Sequence, residues 1–202
     1  MTPIVWKIRS SDQIHKLISV ESAFSNEEID LIKQHASTLE ARPPFISTSD
    51  PNIRSQIDNS LRKCQVKWIE PTEESKWIFQ RLVDVIQKVN GQFFNFNLYA
   101  LQLLQYTIYN EEDQGFYGPH RDSRIVAEDG FVRKLSFSLQ LTDPSEYEGG
   151  ELIVDIEFDE KIAPKSLGAI NFFPSDLLHE AKPVTKGVRH VLVGWVVGPP
   201  LV

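Results

Sequence analysis

Leu135, Phe137, Leu139 and Leu141 alternate with Ser136, Ser138 and Gln140, and this alternation constrains the fold more than any other feature of the chain. Successive strand side chains point to opposite faces, so the run predicts a strand with one apolar and one polar face. Arg189, Val191, Val193 and Trp195 share one parity in a second run, 188–197. Further β-rich runs lie at 98–109, 151–158 and 167–173 and around Ile162, and turn residues such as Gly149-Gly150 separate them. Several short strands at this spacing predict a sandwich or barrel.

Ahead of these strands the hydrophobic period changes. Ser25 and Glu28 have capping-box spacing, and Phe24 and Ile29 have the spacing of a hydrophobic staple. Ile29, Ile32, Ala36 and Leu39 then form one helical face. A second helix is predicted from about Thr72 to Asn90, with Ile78, Leu82, Val85, Ile86 and Val89 on its apolar side. Ile4, Trp6 and Ile8 suit an edge strand, and 63–69 alternates like another strand. Segment 41–60 is rich in Pro, Ser and Asn, which predicts an irregular stretch and a candidate lid. The expectation is one domain over 1–202, mainly β with α (α+β). An N-terminal helical and β layer with the lid, 1–97, packs on a β core, 98–198.

The chain carries 21 basic and 28 acidic residues, a net charge of −7. That balance disfavours a general binder of phosphate backbones or anionic membranes, so neither nucleic acid nor membrane is an expected partner. The single cysteine, Cys64, permits no intrachain disulfide. Residues 1–7 lack a signal-peptide pattern and no apolar stretch is long enough to span a bilayer, so a cytoplasmic protein is expected.

His120 and Asp122 stand two residues apart after a run that reads as a strand, which predicts one imidazole and one carboxylate on the same face. A third ligand must come from elsewhere, and His179 and His190 are the other histidines of the β half. His190 has the opposite parity to Arg189 and receives no ligand role. His15 and His35 read as surface histidines. Two histidines and one carboxylate form a facial triad with open positions, which suits iron(II); zinc usually keeps one open position. Arg189 would place a guanidinium among inward apolar residues, where it needs a partner: protein carboxylates or a bound dicarboxylate.

The stretches Gly115-Phe-Tyr-Gly-Pro-His120-Arg-Asp122, Arg133-Lys-Leu-Ser-Phe-Ser-Leu-Gln-Leu-Thr-Asp-Pro, Tyr147-Glu-Gly-Gly-Glu-Leu and Phe173-Pro-Ser, with His179 and Pro183-Val-Thr-Lys-Gly-Val-Arg189, resemble the iron(II)- and 2-oxoglutarate-dependent dioxygenases. Within them the likeness is to the prolyl-4-hydroxylase-like branch, over about residues 98–198. The resemblance implies a double-stranded β-helix, or jelly roll, with N-terminal helices packed against it. It implies His120, Asp122 and His179 as metal ligands and Arg189 as the anchor of the far carboxylate of 2-oxoglutarate. Tyr106 matches a tyrosine that hydrogen-bonds the cosubstrate. Gln140 stands where some relatives contact it through tyrosine, a departure from the pattern. Tyr117, Arg124 and Trp195 are candidate substrate contacts around the mouth. Iron(II), 2-oxoglutarate and dioxygen follow, with ascorbate admitted as an accessory reductant. The implied reaction hydroxylates an unactivated C–H bond, with a prolyl residue in a peptide or protein as the substrate, and releases succinate and carbon dioxide. Two rivals stay open: the same chemistry on a free amino acid, another side chain or an alkylated nucleobase, and a non-catalytic β-helix binding or sensor module. A zinc hydrolase is a third, and it gives Arg189 no task.

Overall fold

A computed structural model describes residues 15–44, 46–47, 55–56, 58–124 and 130–200; the side chains of 46–47, 55–56 and 124 lie outside that description. The N-terminal part contains β1 (Ile18–Val20), α1 (Asn26–Ser37), β2 (Ile46–Ser47), β3 (Ser55–Gln56), β4 (Arg62–Lys63), β5 (Gln65–Ile69) and α2 (Lys76–Val89). Next come β6 (Ala100–Leu101), β7 (Leu104–Asn110), β8 (Phe116–His120), β9 (Val132–Gln140) and β10 (Tyr147–Gly149). The last strands are β11 (Leu152–Val154), β12 (Lys161–Ile162), β13 (Ile170–Pro174), β14 (His179–Ala181) and β15 (Val184–Gly198).

The larger sheet runs β1-β13-β9-β15-β7-β5, with β6 and β10 also paired to β15. The smaller sheet runs β12-β11-β14-β8-β4, and all of its pairings are antiparallel. This is the expected mainly-β jelly roll with helices on one side.

The alternation in β9 decides which side. Leu135, Phe137, Leu139 and Leu141 are fully buried in one cluster with Ile29 and Ile32 of α1 and Ile78 and Leu82 of α2. The leucine face therefore meets the helices. Ser136, Ser138 and Gln140 point the other way, into the jelly roll, where all three are buried. Strand β15 lies beside β9 in matching register: Leu192 opposite Leu139, and Val193 opposite Ser138. Arg189, Val191, Val193 and Trp195 consequently face the interior, as their parity predicts, and all four line one cleft.

Helix α1 begins as the sequence specifies. Ser25 Oγ accepts from the Glu28 amide (3.3 Å), and the Ser25 amide donates to Glu28 Oε2 (2.8 Å). Phe24 and Ile29 are both buried in the helix-side core. Helix α2 starts four residues later than expected, because the Ser75 hydroxyl turns back to the Glu70 carbonyl and does not cap the helix. Beyond Val89 a π-turn, Asn90–Phe94, continues to Asn95, whose φ of 53° ends the turn. The strand expected over 151–158 is confined to β11, since Asp155 takes a φ of 62° and turns the chain. Ile4, Trp6, Ile8 and residues 45, 48–54 and 57 of the candidate lid lie outside the described residues. Of that lid, Ile46–Ser47 and Ser55–Gln56 pair as a two-stranded ladder. Among the described residues no helix is long and apolar enough to cross a membrane.

On the helix-facing side, Tyr106 Oη and His190 Nδ1 are 2.9 Å apart. Burial pushes the Tyr106 phenol up to about 12. Burial, aided by Lys33 and Lys67, pulls His190 down to about 4 from 6.5. Between those two values the unfolded chain binds a proton that the folded chain refuses. The stability held at neutral pH should therefore fall as pH drops from 6.5 towards 4. Urea titrations across that range should show a shallower slope for His190→Gln. Leu82→Ala, which empties a fully buried position between helix and sheet, should lower the unfolding free energy by about 2–5 kcal/mol in the same assay.

Candidate metal centre

Strands β8 and β14 pair so that His179 stands opposite His120. Their ring centroids are 4.2 Å apart. His120 Nδ1 lies 2.8 Å from the Gly118 carbonyl, and His179 Nδ1 lies 2.9 Å from the Leu177 carbonyl. A carbonyl can only accept, so each Nδ1 carries a proton, and the neutral form of each ring then has its lone pair on Nε2.

Asp122 arrives differently from the expected strand alternation. β8 ends at His120, and Asp122 opens a short 3-10 turn, Asp122–Arg124. The Asp122 and Ser123 amides both donate to the Ser175 carbonyl (3.0 and 2.9 Å), which pins this turn to the loop before β14. Ser136 Oγ donates to Asp122 Oδ2 (2.7 Å) and accepts from Ser175 Oγ (2.8 Å). The carboxylate then lies 3.7 Å from His120 Nε2 and 3.4 Å from His179 Nε2. The three donor atoms all fall within 4.8 Å of one another.

Electrostatics favour a cation at this point. Burial, the neighbouring His179 and Arg62 pull His120 down to about 3 against the opposing pull of Asp122, so its imidazole is neutral. For Asp122, burial works against ionisation, but His179, His120, Arg133 and the Ser136 hydroxyl outweigh it and hold the carboxyl below its usual range. Two imidazoles and one carboxylate, with their donor atoms converging, make a ready ligand set for a divalent ion.

The same cleft contains Arg189, Tyr109, Tyr117 and Trp195. Arg189 is 3% exposed and no salt bridge reaches it among the described residues. Its Nη2 donates to Gln140 Oε1 (3.1 Å), and its Nε is buried without a partner. Gly150 makes room for it: a Cβ there would lie 2.9 Å from Arg189 Cδ. A buried guanidinium short of acceptors in a cleft with a metal-ligand set fits a small dianion that also reaches the metal. Iron(II) and 2-oxoglutarate therefore suit the residues present.

Residues 101–197 match the 2OG-Fe(II) oxygenase superfamily. The match covers the strand-rich part of the chain, 97 of its 202 residues, as an oxygenase domain. The chain's curated relatives include a PKHD-type hydroxylase of Gloeothece citriformis, 44% identical over 80 residues, or 40% of this chain and 36% of that protein. A PKHD-type hydroxylase of Idiomarina loihiensis is 36% identical over 95 residues, 47% of this chain and 43% of the relative. The match thus spans less than half the length of these relatives. Among solved structures, a Pseudomonas putida prolyl-4-hydroxylase aligns with a TM-score of 0.66 at 18% identity, over 92% of this chain and 94% of that one. A Trichoplax adhaerens prolyl hydroxylase in complex with a hypoxia inducible factor peptide fragment also gives 0.66, at 17% identity over 90% and 83%. At these identities the structural likeness shows that the oxygenase fold extends over nearly the whole chain.

The oxygenase domain places the candidate residues unevenly. His120, Asp122, His179, Arg189, Tyr117 and Trp195 share the cleft. Gln140 touches Arg189 from the same face. Tyr106 is a correction: strand alternation turns it to the helix side, where it meets His190. Tyr109, three residues on, faces the cleft, with the Arg189 guanidinium 5.5 Å from its ring. The side chain of Arg124 lies outside the described residues. Arg62 and Arg133 are additions. Arg62 lines the cleft with its guanidinium 4.3 Å from the Tyr117 ring centroid, and Arg133 stacks 3.7 Å from the Trp195 ring centroid. Arg133 has the parity of Leu135, but β9 carries one extra residue between their partners Val197 and Val196, and this bulge turns Arg133 inward.

Ser136 orients a ligand without touching the metal position. Ser136→Ala should weaken iron(II) or cobalt(II) binding about 10–100-fold in anaerobic titrations while leaving the fold intact.

Proposed function

We propose that this protein is an iron(II)- and 2-oxoglutarate-dependent hydroxylase acting on a prolyl residue of a peptide or protein, with 98–198 supplying the metal and cosubstrate residues and 1–97 a supporting layer that adds Arg62 to the cleft. The observation that carries the reading is the pairing of an underbonded, buried Arg189 with a His120–Asp122–His179 ligand set in one cleft. The relatives named as PKHD-type hydroxylases and the folds of prolyl hydroxylases support the reaction class and the substrate.

Iron(II), with 2-oxoglutarate and dioxygen, supplies the oxidising power to hydroxylate an unactivated C–H bond, yielding succinate and carbon dioxide. The chain's own residues set the geometry. His120 Nε2, His179 Nε2 and an Asp122 oxygen would hold the metal. Arg189 binds the far carboxylate, and Gln140 fixes the guanidinium through Nη2. Burial pushes the Tyr109 phenol up, so it stays protonated and can donate to the cosubstrate. Tyr117, stacked on His120 with centroids 3.5 Å apart, and Trp195, backed by Arg133, form the substrate-side walls. Phe173 and Leu152 help to keep water out. A cytoplasmic setting suits the free thiol of Cys64 and a ferrous site.

Succinate formation with iron and 2-oxoglutarate should vanish in His179→Ala. Arg189→Gln should raise the KM for 2-oxoglutarate by about tenfold or more, the scale of one lost charge-assisted bond. Gly150→Ala should act in the same direction by crowding Arg189 at a φ of 66°. A mass-spectrometric screen of proline-containing peptides should reveal a product heavier by one oxygen atom; no such product from any of them would sink the prolyl assignment.

A further inference from the structure

The hydroxylase reading accounts for Arg189 but leaves a second buried cation in the same cleft. β4 pairs with β8, which sets Arg62 opposite Tyr117. Arg62 is 4% exposed. Its Nε donates to Cys64 Sγ (3.2 Å), its guanidinium covers the Tyr117 ring, and its Nη2 is buried with no partner. No carboxylate pairs with it among the described residues. Cys64 offers no negative charge, since burial pushes its thiol up despite the adjacent guanidinium.

The charges around the cleft do not balance. Among the described residues, Arg62, Arg133 and Arg189 stand against one carboxylate lining the cleft, Asp122, with Glu151 near enough to act on Arg189 from outside it. Iron(II) and the 2-oxoglutarate dianion cancel each other, so loading the site leaves the surplus in place. A buried guanidinium with an open N–H is costly until an acceptor, best of all an anion, reaches it. Tyr117 lies between Arg62 on one side and ligand His120 on the other, 3.5 Å from the His120 ring centroid. An anion held by Arg62 is therefore about one aromatic ring away from the metal position.

Resting on the hydroxylase reading, we propose that the substrate carries a carboxylate close to the carbon that is hydroxylated, and that Arg62 binds it. That carboxylate has two sources: the free C-terminus of the reacting residue, or an acidic side chain next to it.

Two matched peptide pairs test the proposal. In the first, an acetylated and amidated peptide places glutamate or glutamine directly after one proline. In the second, the peptide ends in proline as the free acid or as the amide. The wild-type enzyme should favour the charged member of one pair by about tenfold or more in kcat/KM, and the pair showing the preference identifies the source. Calorimetry on the anaerobic enzyme with iron(II) and 2-oxoglutarate should give the same ratio in Kd. Arg62→Gln should bring the ratio close to one. Arg62→Lys keeps the charge and should retain part of it, which carries the test if the glutamine variant fails to fold. Equal preference within both pairs would overturn the proposal. So would an Arg62→Gln enzyme that keeps the peptide ratio and loses affinity for 2-oxoglutarate instead. A wild-type protein that consumes no 2-oxoglutarate with any peptide would overturn the hydroxylase reading, and the calorimetric ratio would still decide whether Arg62 recognises a carboxylate.

Discussion

The pairing of β9 with β15 is the constraint on which everything else rests. Both strands are loaded on both faces. Leu135, Phe137 and Leu139, beside Leu192 and Val196, glue the helices to the sheet. Ser136, Ser138 and Gln140, beside Val193 and Arg189, supply the chemistry on the reverse. A slip of one residue would send the leucines into the cleft and the guanidinium into the helix interface. The hydrophobic core and the site are therefore held in register by the same hydrogen-bonded ladder, and helix packing protects the site's geometry indirectly.

The cleft itself is built from polar groups that the fold leaves short of partners. Arg189 has one firm acceptor and an orphaned Nε, Arg62 has a sulfur and an orphaned Nη2, and Trp195 Nε1 is also unpaired. Ordinary cores avoid such groups because each costs desolvation without return. Here they coincide with a three-residue ligand set that is itself fully oriented by backbone carbonyls and hydroxyls. The contrast is informative: the groups that hold a metal are satisfied in advance, and those that would meet organic anions are not.

Much of this was legible in the sequence. The capping box at Ser25, the apolar face of α2 and the alternation of β9 are local patterns, and local patterns survive without coordinates. The inward parity of Arg189 and Trp195 was equally readable. What failed depended on register between distant strands. Tyr106 and Tyr109 are both plausible cosubstrate contacts until the pairing of Tyr109 with Arg189 fixes which one faces in. Arg133 is hidden by a bulge that periodicity does not reveal. Arg62 sits on a two-residue strand, too short to carry a pattern, and only its pairing with β8 brings it to the cleft. His120 and Asp122 were rightly grouped, although a turn, and not an extended segment, brings the carboxylate round.

The five-residue span from Ser175 to His179 does two jobs at once. The Ser175 carbonyl fastens the turn bearing Asp122, its hydroxyl holds the Ser136 that bonds Asp122, the Leu177 carbonyl sets the tautomer of His179, and His179 closes the span as a ligand. Two of the three ligands thus answer to one short loop, while the third hangs on a different strand. Such a loop works as a jig whose length is its specification. Related chains should tolerate varied residues at the exposed Asp176 position far better than a single insertion or deletion there, because a change of length would misplace a carboxylate and an imidazole together.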